Sequence, residues 1–101
     1  MDRTAQLLRF IQTRPDDPFP RYALAMEKKG QGDVPGAITA LEELLARKAD
    51  YVPAYLQLGN LLSQNGRVAD ARECLSRGQT HARAQGNAHA LSELTSALEA
   101  L

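Results

Sequence analysis

Apolar side chains recur along the chain at steps of three and four residues. In Tyr22, Ala25 and Met26, and again in Ala37, Ile38, Leu41, Leu44 and Leu45, that spacing lays one oily stripe along one side of a helix. Strand-like alternation is absent from the sequence. Helix breakers fall between the stripes. Asp16-Asp17-Pro18 and Asp50-Tyr51-Val52-Pro53 open helices, because a proline in the first turn gives up an N–H that has no intrahelical partner anyway. Gly30-Gln31-Gly32-Asp33 and Asn65-Gly66-Arg67 close them, since Gly and Asn accept the left-handed conformation that ends a helix. Asp33 is then the natural N-cap of the next helix. The pattern predicts an all-α chain of about six helices, near 2–13, 18–30, 34–48, 53–65, 68–84 and 88–100.

The helices repeat. A shift of 34 residues carries Leu7 onto Leu41 and Leu75, Asp16 onto Asp50, Leu24 onto Leu58, Gly32 onto Gly66, Val34 onto Val68 and Ala37 onto Ala71. Most of these are helix-packing or turn positions, where units that cannot hide an apolar face alone must resemble one another in order to stack. Residues 1–101 are expected to form one domain: a half-repeat helix over 1–17, a first repeat over 18–51, a second over 52–85 and a capping helix over 86–101. Leu7 and Pro15 share the register of Leu41 and Ala49, so the leading helix reads as the second half of a truncated unit. The last helix, with Leu91, Leu94 and Leu98, fits the 34-residue register poorly.

Tyr55-x2-Leu58-Gly59-x2-Leu62 followed by Ala71-x3-Leu75, and more loosely Arg21-x2-Leu24-Ala25-x2-Lys28 followed by Ala37-x3-Leu41 and Ala49, can be set against a known pattern. The chain resembles the tetratricopeptide repeat (TPR) family, whose units read Trp-x2-Leu-Gly-x2-Tyr, then Ala-x3-Phe, then Pro. Lys28 departs from it where an aromatic or Leu belongs, and Arg83 occupies the proline slot. The resemblance implies a short bacterial-type array of two full repeats plus flanking helices, its antiparallel hairpins stacked as a right-handed superhelix. It also implies a non-catalytic protein–protein interaction module or scaffold that holds a peptide or protein segment in a concave groove lined by the first helix of each pair.

The residues that resemble that lining are Phe19, Tyr22, Met26 and Lys29 in the first pair, and Pro53, Leu56, Asn60 and Ser63 in the second. An adaptable methionine among aromatic and aliphatic neighbours suits an apolar ligand. A second reading stands beside it: Tyr22, Met26 and Leu56 pack beneath the terminal helix as core. Some family members grip a partner's terminal carboxylate with cations and amides. Only Asn60 and Lys29 resemble that arrangement here, while Tyr22 and Leu56 occupy places where a clamp wants a cation or amide.

Charge and composition narrow the function further. Twelve basic residues balance twelve acidic ones, so no net field draws nucleic acid or anionic lipid. A helix-turn-helix DNA binder would need a basic recognition helix. Arg67, Arg72, Arg77 and Arg83 are instead spread around theirs and interleaved with Asp70 and Glu73. No apolar run approaches the roughly 18 residues needed to span a bilayer, and the opening residues 1–6 lack a signal-peptide pattern. Together with the single cysteine, Cys74, this points to the cytoplasm. Phosphate-loop, zinc-protease and nucleophile-elbow motifs are missing from the sequence, so no catalytic residue, metal or cofactor is expected. His81 and His89 flank Gly86 and read as ordinary surface or cap residues rather than a metal pair. The expected partner is a protein or peptide, bound by a monomer or weak homodimer. The alternative is a homo-oligomerising structural or accessory subunit that associates through the tail from Ala88 to Leu101.

Overall fold

The computed structural model describes residues 3–101. Among them are six α-helices and no strand: α1 (Thr4–Thr13), α2 (Pro18–Gly30), α3 (Val34–Arg47), α4 (Val52–Gln64), α5 (Val68–Ala84) and α6 (Ala88–Glu99). The expected start of the first helix at residue 2 lies outside the described residues. The other helix ends fall within about one residue of expectation, the ordinary uncertainty of a helix boundary.

Local chemistry explains the boundaries. The Asp17 carboxylate accepts from the Phe19 N–H at 3.0 Å and that of Asp33 from the Gly36 N–H at 2.9 Å, each satisfying a donor left orphaned at a helix start. Asn87 does the same for Ala90 at 3.1 Å. At the far ends of α2 and α4, Gly32 and Gly66 turn to φ +79° and +78°. The Asp33 N–H then reaches back to the Lys28 carbonyl at 2.9 Å and the Arg67 N–H to that of Leu62 at 2.8 Å. These are two copies of one left-handed helix stop, a full repeat apart.

The chain divides into two compact units, one ending at Ala49 and the other running Asp50–Leu101. In the first, α2 packs on both α1 and α3. Leu7, Leu24, Ala25, Ala37, Ile38, Leu41 and Leu44 are buried there. Lys28, the departure from the repeat pattern, is half-buried with its ammonium 3.8 Å from the Asp33 carboxylate, so its stem covers apolar surface while the charge stays at the rim.

In the second unit α5 packs on α4 and α6, and α4 also touches α6. Tyr55, Leu58, Leu61, Leu62, Ala71, Leu75, Ala82 and Leu94 are buried. Two glycines set the approach of these helices. A Cβ on Gly59 would meet Leu75 Cγ at 2.5 Å, and one on Gly78 would meet Leu94 Cδ2 at 3.1 Å. Gly59, whose counterpart one repeat earlier is Ala25, and Gly78 are therefore places where two helices nearly touch.

The last helix departs from the 34-residue register by two residues. From α2 to α4 the helix starts are 34 residues apart, and from α4 to α6 they are 36. Allowing for that offset, Leu91, Leu94, Thr95 and Leu98 of α6 match Tyr55, Leu58, Gly59 and Leu62 of α4. Leu94, at 1% exposed, is as buried as its counterpart class in the other first helices. The poor register comes from the length of α5, 17 residues against 14 in α3, and not from a different kind of helix. No helix among the described residues is long and apolar enough to cross a membrane.

Candidate functional site

On α2, Phe19, Tyr22, Met26 and Lys29 follow one another at steps of three and four and so share one side of the helix. The Asp17 cap starts the helix just ahead of Phe19, and packing of the opposite side on α1 and α3 leaves this one outward. Phe19 is 62% exposed, Tyr22 and Met26 are half-buried, and Lys29 is exposed. A phenylalanine left that open beside a tyrosine and a methionine makes an apolar strip on the surface of the first unit.

The matching side of α4, in the second unit, is more polar. Pro53 and Asn60 are exposed, while Leu56 and Ser63 are half-buried. None of the eight residues singled out in the sequence is fully buried.

The first unit also carries a feature that the repeat pattern did not point to. A shallow cleft of about 430 Å³ runs over Leu8, Leu24 and Ala40, with Lys28 and Glu43 at its edge. It uses the side of α2 away from Phe19. Leu8 is 47% exposed and stands one repeat before Glu42 and two before Ser76, both exposed. An apolar residue where the other repeats carry polar ones was the available signal. Phe10, 43% exposed, is similarly out of keeping with buried Leu44 and Gly78 at the same repeat position.

Residues with reactive side chains sit in structural roles. Cys74 is buried, its Sγ donating to the Tyr55 carbonyl at 3.5 Å. His81 stacks on the Tyr55 ring, with centroids 5.4 Å apart. Burial pushes the Tyr55 phenol above its ordinary pKa, with Arg77 opposing the rise and Cys74 and Asp50 adding to it. His89 lies on the surface 3.3 Å from Glu93. Among the described residues no group of three His, Cys, Asp or Glu side chains is placed to hold a metal ion.

Paired helices and a common left-handed stop recur at one period, and a family profile described as tetratricopeptide repeat matches residues 29–98. The chain belongs to the tetratricopeptide repeat family. A crystal structure of a TPR domain protein from Salinibacter ruber is 39% identical and superposes with a TM-score of 0.78, covering 81% of this chain and 91% of that one. A solution NMR structure of a TPR domain protein from the same organism is also 39% identical with a TM-score of 0.78, covering 83% of this chain and 85% of the other. No curated protein matches the chain. The TPR fold is in general that of protein–protein interaction modules, and this chain is an all-α helical repeat of that kind.

Proposed function

We propose that this TPR chain is a non-catalytic interaction module that takes up an apolar peptide or protein segment on the α2 face of Phe19, Tyr22, Met26 and Lys29. The face of α4 with Pro53, Leu56, Asn60 and Ser63 serves as a second, more polar contact surface. The observation that carries this reading is the exposure of Phe19, 62%, beside half-buried Tyr22 and Met26. Such a strip costs solubility unless it is covered at work, and an aromatic with a flexible methionine beside it fits varied apolar partners. Charge balance over the chain disfavours nucleic acid as that partner. The lone free thiol Cys74 supports a cytoplasmic setting. A surface this small supports affinities in the micromolar range, about −8 kcal/mol.

A photo-crosslinking amino acid placed at position 19 tests the reading in lysate of the source organism, with the same group at exposed Glu42 as control. Crosslinks specific to position 19, and lost on Tyr22→Ala and Met26→Ala, are the expected result. If the Phe19→Ala, Tyr22→Ala, Leu56→Ala and Asn60→Ala variants retain every partner, the binding-surface assignment fails. Turnover of any substrate by the purified chain would overturn the non-catalytic reading.

A further inference from the structure

The cleft of the first unit has an apolar middle and a charge at each end. Leu24 and Ala40 line its middle, almost fully buried, and Leu8 of α1 stands beside them, 47% exposed. Along α3 the lining runs from Pro35 and Gly36 through Thr39 and Ala40 to Glu43. Gly36 and Glu43 are seven residues apart, about 10 Å along the helix. Lys28 belongs to the Gly36 end, because its ammonium lies 3.8 Å from the Asp33 carboxylate, whose other oxygen accepts from the Gly36 N–H. A cation thus marks one end of the cleft and a carboxylate the other.

Both charges can take a further partner. At 3.8 Å the Lys28 ammonium is too far from Asp33 for a hydrogen bond, so its donors are open to another acceptor. Asp33 itself is held by the start of α3, where its charge offsets the positive end of the helix. Glu43 is exposed and meets no cation among the described residues. Leu8 does not owe its exposure to its place in the first helix. Glu42 and Ser76 hold the same repeat position in α3 and α5, which have a helix before and after them, and both are exposed.

We propose that a second copy of this chain docks on the cleft about a two-fold axis passing through its middle, near Thr39 and Ala40. That rotation sets the two α3 helices antiparallel and exchanges the ends of the cleft. Lys28 of each copy then faces Glu43 of the other, and Leu8 of each lies over the apolar middle of the other. An unrelated partner would need the reverse order of charges at the same spacing, whereas a second copy has it by symmetry. Ion pairs at the surface are worth little and the cleft is shallow, so the dimer is weak and forms only at high concentration. It is independent of the α2 and α4 faces assigned to partner binding.

Sedimentation equilibrium tests this with two charge variants, Lys28→Glu and Glu43→Lys, each checked for native helicity by circular dichroism. The wild-type mass is expected to rise towards that of two chains, and no further, as concentration goes from micromolar towards millimolar. Each variant alone sets like charges opposite one another twice and should associate about tenfold more weakly. Their equimolar mixture regains both pairs and should dimerise as readily as the wild type. A mixture no more associated than either variant overturns the proposal. So does a wild-type chain that stays single throughout, which would leave the cleft to a different protein. Should Lys28→Glu unfold, Thr39→Cys decides instead, since the axis brings position 39 of the two copies together while Cys74 is buried. A short bismaleimide is expected to link Thr39→Cys chains in pairs and to leave chains with Thr80→Cys, an exposed position in the second unit, single. Equal linking at the two positions, or none at position 39, overturns the proposal.

Discussion

Tyr55 lies so close over Gly78 that a Cβ added to that glycine would stand 2.6 Å from the tyrosine Cβ. Real Cβ atoms do not come that near, and Leu94 Cδ2 would stand only 3.1 Å from the same atom. Gly78→Leu should therefore destabilise the second unit by about 1–3 kcal/mol or more, as overpacked cores do. Urea unfolding followed by circular dichroism measures it. A midpoint equal to that of the parent chain would mean that α4, α5 and α6 do not meet as described.

Leu41 and Leu8 offer a contrast inside the first unit. Leu41 is completely buried and Leu8 is 47% exposed. Leu41→Ala should cost about 2–5 kcal/mol through lost burial and the cavity left behind. Leu8→Ala should cost no more than about 0.5 kcal/mol. The same denaturation measurement ranks the two, and the reverse order would contradict the packing of α1 on α2.

Asp33 holds two groups at once, the Gly36 N–H at 2.9 Å and the Lys28 ammonium at 3.8 Å. The capping bond should dominate, because the ion pair is at the surface. Asp33→Ala is expected to lower stability by about 0.5–2 kcal/mol, and Asp33→Asn, which keeps the acceptor, by much less. Equal losses in the two variants would assign the effect to charge.

Tyr55 predicts a pH dependence with a definite sign. Burial raises its pKa in the folded chain, so the unfolded chain releases the phenolic proton first. The stabilisation is complete below the unfolded value of about 10 and is lost as pH rises through the higher folded value. Between about pH 8 and pH 11 the urea midpoint of the parent chain should fall more steeply than that of Tyr55→Phe. Parallel curves for the two chains would remove Tyr55 as the source.

The candidate surface was only partly legible. Helical spacing placed Phe19, Tyr22, Met26 and Lys29 on one side of α2, and that is a matter of arithmetic along a helix. It could not say whether Tyr22 and Met26 were core or surface, since both answers use the same stripe. In the structure Phe19 is open while Tyr22 and Met26 are half-covered. The exposed apolar residues of α1 escaped notice for the opposite reason. Phe10, at the repeat position of Leu44, looks like an ordinary core residue until one knows that α1 packs on α2 alone within its unit, whereas Leu8 stands where the other repeats carry Glu42 and Ser76.

What the residues alone determine here is everything that acts over one or two helical turns or recurs at a constant interval. The six helices, the Asp caps of α2 and α3, the stops at Gly32 and Gly66 and the membership of a repeat family all follow from such short-range rules. The tertiary structure decided what depends on which helix lies against which. It showed α6 to be a displaced first helix behind a longer α5, set His81 on the ring of Tyr55, and left Phe10 and Phe19 uncovered. Burial is a property of neighbours far apart along the chain, and a stripe of apolar residues says only that some neighbour is wanted.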